Sequence, residues 1–161
     1  MRDALGLLGE ALFTVLMTEF HSKAGPIFKP QFLGDKWQYV DFIVELVGSR
    51  DIIPYFFVQV KTTRQGYTQK LKRLKVKVPQ EGVRGLALYP APTYIVGIDE
   101  IERKGYVVST NRENLTSLSS LSTEFPINHL NREVLWEEVN SFWSRYSTIP
   151  LVSQFHDANW R

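Results

Sequence analysis

The residues best suited to chemistry lie in two apolar runs. In Phe56-Phe57-Val58-Gln59-Val60-Lys61, a glutamine and a lysine stand two residues apart just before Thr62-Thr63. At that spacing in a β-strand both side chains leave the same face. A lysine at the end of a buried strand is costly without a partner. Upstream, Asp41 opens the run Asp41-Phe42-Ile43-Val44-Glu45-Leu46-Val47. An acid, an amide and a lysine gathered at adjoining strand ends have the makings of a metal-dependent phosphodiesterase site.

Phosphodiester hydrolysis needs a cation to offset phosphate charge, an activated water and a stabilised leaving oxygen. Mg²⁺ (or Mn²⁺) supplies much of this and takes oxygen ligands. The expected ligands are the Asp41 carboxylate, the Gln59 side-chain carbonyl and the Val60 backbone carbonyl. Lys61 is placed to orient the attacking water or to stabilise developing charge. Glu10, on an upstream helix, offers a second carboxylate, with Glu19 as the second choice. A plainer reading keeps Asp41 and Lys61 as a structural ion pair.

The elements that must position these groups are legible. Residues 3–20 read as a helix with Leu5, Leu8, Leu12, Leu16 and Phe20 as its apolar stripe. Residues 28–33 form a weak strand that Pro30 assigns to an edge. Residues 40–47 and 52–61 are the strongest strands, joined by a Gly48-Ser49-Arg50-Asp51 turn. If Gly48 faces Ile52, Asp41 faces Gln59; a slip of one residue sends Asp41 to the other face. Residues 72–78 alternate as a further strand, and Pro79 opens a short helix. A second hairpin spans 93–98 and 106–110, and residues 114–124 form a short helix or packed loop. A last helix begins at an Asn131 cap, with Leu135, Val139, Phe142 and Tyr146 as its stripe. We therefore expect one α/β (mixed α+β) domain over residues 1–147, a central mixed sheet flanked by helices, and a C-terminal tail over 148–161.

Gly9-Glu10 on the helix, Asp41 on one strand and Gln59-Val60-Lys61 on the next resemble the PD-(D/E)XK nuclease superfamily of restriction enzymes and junction resolvases. Val58-Gln59-Val60-Lys61-Thr62-Thr63, Tyr94-Ile95-Val96-Gly97-Ile98-Asp99 and Leu135-Trp136-Glu137-Glu138-Val139 look like an uncharacterised bacterial domain family (a domain of unknown function) within it. The resemblance spans most of the chain. It implies a restriction-endonuclease-like fold, Mg²⁺-dependent cutting of DNA, and Glu10, Asp41, Gln59 and Lys61 as catalytic residues. Small nucleases of this type often act as homodimers. The chain departs from the pattern at Gln59, where an acid is usual, and Val40 replaces the usual proline. A glutamine keeps the carbonyl but removes a full charge, so metal affinity should fall. A catalytically degenerate module that binds nucleic acid or a protein partner is the alternative.

Bulk properties agree with a folded cytoplasmic protein. The 161 residues are 43% hydrophobic and 13% aromatic, enough for a core. The absence of cysteine excludes disulfides, thiolate zinc sites and cysteine nucleophiles. No apolar run reaches the roughly 18 residues of a membrane span. Net charge is only +2, yet residues 61–77 hold seven basic side chains and no acid. That stretch suggests a polyanion footprint, with Arg64, Lys70, Lys72 and Arg73 as phosphate contacts, or else a solvated strand face. His21, His129 and His156 are scattered without metal-ligand spacing and read as surface or capping residues.

Overall fold

The computed structural model describes residues 3–110, 115–146 and 149–160. Their elements, in chain order, are α1 (Ala4–Met17), β1 (Phe28–Phe32), a single 3-10 turn (Gly34–Lys36), β2 (Phe42–Leu46), β3 (Tyr55–Thr63), α2 (Gln80–Ala87), β4 (Thr93–Asp99), β5 (Lys104–Ser109) and α3 (His129–Tyr146). The five strands form one sheet in the order β1-β2-β3-β4-β5. Only β3 and β4 run parallel, and α2 lies on the crossover between them. The sheet is therefore mixed and flanked by helices, as the sequence led us to expect. No helix among the described residues is long and apolar enough to cross a membrane.

Strand alternation divides the interior into two layers. Phe42, Val44, Phe56, Val58, Tyr94, Val96 and Ile98 face one way and pack with Leu12, Phe13 and Met17 of α1 and Leu135 and Val139 of α3. Phe57 and Ile95 face the other way, onto Val83 and Leu86 of α2 and onto Leu74, Val76, Val78 and Leu121 from two loops. Pro30 sits in the edge strand β1, where its missing N–H costs least.

Several local expectations are corrected. Asp3 caps α1 through the Gly6 N–H, and the helix stops at Met17. Its buried face is Gly9, Leu12, Phe13 and Met17; of the expected stripe Leu12 is buried and Leu16 packs against the core, but Leu8 and Phe20 are exposed, Phe20 to 74%. Glycine at position 9 decides this rotation, because α1 approaches β3 so closely there that any Cβ would overlap Thr62. Residues 72–78 form no strand. Leu74 and Val78 make isolated bridges to Leu121 and Leu118, so the alternation serves burial without a ladder. The 114–124 segment, described from residue 115, is a packed loop. The β2–β3 connection is wider than a tight turn, with Leu46 bonded to Pro54. The cap of α3 is Asn128, whose side chain accepts from Asn131 N; Asn131 itself donates to the Pro126 carbonyl. On α3 Leu135 and Val139 are buried, but Tyr146 is exposed. Trp136 and Trp143 pack instead, each donating its indole N–H to a backbone carbonyl, of Val47 and Tyr55 respectively.

Candidate functional site

The register between β2 and β3 pairs Phe42 with Val58, which extrapolates to Gly48 facing Ile52 and Asp41 facing Gln59. This is the useful register of the two. The regular ladder ends there: Asp41 N–H donates to the Val58 carbonyl, and the Asp41 carbonyl accepts from Leu33 N. Beyond that point β3 runs on beside β4 alone as far as Thr63. Its β2-side edge is left open, and the first open amide, Val60 N–H, is taken by the Asp41 carboxylate at 2.7 Å. Backbone N–H and C=O of one strand residue leave on the same edge. The Val60 carbonyl therefore opens beside the same carboxylate.

Gln59 and Lys61 flank Val60 and share the sheet face of α2. They behave differently. Gln59 is buried, its Nε2 donates to the Tyr39 carbonyl at 3.1 Å, and its Oε1 is enclosed near Gly82 with no hydrogen-bond partner. Tyr39 adopts φ 67°, and its ring lies so close to Gly85 that a Cβ there would overlap it. Its hydroxyl donates to Glu81, and that hydrogen bond holds the phenol above its ordinary range. The Gln59 amide thus ties β3 to the 39–41 turn and to α2.

Lys61 is half-buried and lines a cavity of about 400 Å³ with Lys75, Lys77, Thr63, Gln65 and Ser119. Three lysines line this cavity and no acid does. The two outer lysines follow from the 72–78 alternation: Leu74, Val76 and Val78 turn inward, so Lys75 and Lys77 turn outward.

Glu10 is half-buried on α1, next to Gly9 at the Thr62 contact. The helix reaches the same end of β3 from the face opposite Lys61. Glu19 is drawn elsewhere, 3.4 Å from Arg132 of α3. Of the two acids, only Glu10 adjoins the site.

Of the four residues expected to contact phosphate, Arg64 and Arg73 have their side chains engaged within the chain. Arg64 pairs with Glu100 at 3.0 Å, and Arg73 donates to both the hydroxyl and the carbonyl of Ser120. Lys72 sits at φ 52°, with Thr123 bonded to its carbonyl, and lines a different cavity with Glu102 and Arg103. Lys70 is exposed. The basic run does reach the site, through Lys75 and Lys77 at its far end.

Asp41 and the Val60 carbonyl fit a hard oxygen-seeking ion at an open edge. Gln59 does not fit as it stands, because its Oε1 faces the interior. No protein-family model matches the chain, and no curated protein matches it.

Proposed function

We propose that this protein is a metal-dependent nuclease-like protein acting on DNA, of the PD-(D/E)XK type. The observation that carries the reading is the Asp41 carboxylate bound to the amide of Val60, between Gln59 and Lys61. Asp41 and the Val60 carbonyl would hold Mg²⁺ or Mn²⁺, with Glu10 of α1 as a further carboxylate at the same end of β3. When bound, the ion offsets phosphate charge and makes a coordinated water more acidic.

The chain's own residues account for the rest. Lys61, Lys75 and Lys77 line one basic cavity beside the strand end, suited to a phosphodiester backbone. Lys61 is nearest the Asp41 edge and donates hydrogen bonds to a phosphate oxygen or to the attacking water. The outer lysines hold the backbone without reading sequence.

A second reading is favoured by one observation. The Gln59 amide spends its donor on Tyr39 and encloses its acceptor, as a structural residue would. In that case the cavity binds nucleic acid and no bond is cut. Incubation of the purified chain with plasmid and with single-stranded DNA, with and without Mg²⁺ or Mn²⁺, separates the two. Metal-dependent nicking that disappears in Asp41→Asn supports the nuclease. DNA binding indifferent to metal and to Asp41→Asn supports the binding module. Neither cutting nor binding at low salt removes both.

A further inference from the structure

A second cluster of ligating side chains lies away from the strand ends, where α1 meets α3. After Met17 the chain folds into a tight turn: His21 N–H donates to the Gly25 carbonyl at 3.0 Å, and Gly25 N–H to the Ser22 carbonyl at 3.1 Å. Gly25 takes φ 112°, which glycine tolerates best. The turn presents the His21 ring to the first turns of α3. There His129 and Glu133, four residues apart, share one helix face.

The three side chains converge. His21 Nε2 lies 2.8 Å from Glu133 Oε1, and His129 Nε2 lies 3.4 Å from the same oxygen. The two imidazoles are stacked, with centroids 3.8 Å apart and planes 6° from parallel. One ligand atom from each residue falls within 4.8 Å of the other two. His21 is 15% exposed, while His129 and Glu133 are more than half exposed, so one side of the cluster is open to solvent.

We propose that His21, His129 and Glu133 form a binding site for a borderline divalent cation, zinc above all. Two imidazole nitrogens and one carboxylate oxygen, with water in the remaining position, are a recurrent tetrahedral set for Zn²⁺. In the arrangement seen, both Nε2 atoms are turned toward the Glu133 carboxylate. A cation would take the place of the proton between them, with a small splay of the two stacked rings to aim both nitrogens at it. Mg²⁺ does not suit the site, because it takes oxygen ligands and keeps its waters.

The ion would act as a clasp between the turn after α1 and the start of α3, segments 112 residues apart at His21 and Glu133. Nδ1 of His21 is buried without a partner, so no acceptor orients the ring from behind. Such outer partners typically contribute 10–100-fold to affinity, and this site lacks one at His21. Arg132, on the same helical turn, is directed to the Leu16 carbonyl and Glu19, not into the cluster.

The test uses the full chain, stripped with a chelator and titrated with ZnCl₂ or MgCl₂ by calorimetry and thermal melting. We expect one Zn²⁺ per chain, a melting temperature that rises with zinc, and no matching effect of Mg²⁺. His129→Ala, at an exposed position that leaves the core intact, should weaken zinc binding at least tenfold, and Glu133→Ala likewise. Asp41→Asn should leave zinc binding unchanged, which separates this site from the strand-end site. Zinc binding that survives both His129→Ala and Glu133→Ala overturns the proposal, as does the absence of saturable zinc binding in a folded native chain.

Discussion

The carboxylate of Asp41 accepts the backbone N–H of Val60 at 2.7 Å, closing the point where β2 leaves β3. This bond gives Asp41 a structural role besides any chemistry. Asp41→Ala would leave that amide without its acceptor, at a cost of about 1–2 kcal/mol. Asp41→Asn keeps an acceptor and loses only the charge. We expect urea unfolding to show a clear loss for the alanine variant and a smaller one for asparagine. Equal losses would mean that the charge, not the acceptor, holds the strand end. Asparagine is therefore the better probe of metal dependence.

Gln59→Glu restores the acid that the resemblance leads one to expect, but at a buried position whose Oε1 has no donor. An uncompensated buried carboxylate should lower stability by at least about 2 kcal/mol at neutral pH. If the side chain can turn toward Asp41, Mg²⁺ should recover part of that loss and raise DNA cutting. A variant as stable as the native chain without metal would show that the Gln59 amide is not tightly held.

Gly9→Ala drives a methyl group into Thr62 of β3. Overpacking at such a contact costs about 1–3 kcal/mol. Because Glu10 adjoins this contact, the helix cannot lift without moving that carboxylate. We expect a lowered melting temperature, partly recovered by adding Thr62→Gly. An unchanged melting temperature would mean that α1 can shift on β3 at little cost.

Lys75 and Lys77 line the basic cavity with Lys61, whereas Arg64 and Arg73 are held by Glu100 and Ser120. Replacing Lys75 and Lys77 together by alanine should reduce the slope of log affinity for DNA against log salt by about 2. Arg64→Ala should change it far less. The reverse ranking would move the interface to the other end of the basic run.

Tyr67 shares a hydrogen bond of 2.8 Å with Tyr106, and burial, reinforced by that bond, holds its phenol far above the ordinary value of about 10. A group whose folded pKa is raised contributes stability in full below its unfolded value. It loses that contribution as pH climbs toward the folded one. Stability should therefore fall above a pH of about 10. Tyr67→Phe should flatten that alkaline limb, which melting temperatures across the range would register. A limb of unchanged steepness would place the sensitive group elsewhere.

Much of the scaffold was legible in the chain. Apolar runs gave β2 and β3, Pro30 marked the edge, and the chain permitted, without dictating, the register that sets Asp41 opposite Gln59. Those features depend on neighbours a few residues away, which a sequence displays directly. The face that α1 buries was not legible, because Gly9 wins it through a contact with a strand more than fifty residues later. Nor was the direction of the Gln59 amide, which Tyr39 and α2 decide. The three histidines looked scattered, and only the i, i+4 spacing of His129 and Glu133 hinted at a shared face.

Sequence by itself determined most of the elements and the residue types gathered at the end of β3. Tertiary structure alone decided which of those groups meet: Asp41 with the Val60 amide, Lys61 with Lys75 and Lys77, and His21 with His129 and Glu133. The reason is physical. Local periodicity follows from the backbone's own geometry, whereas the meeting of distant side chains follows from how closely two elements can pack, and that depends on every residue between them.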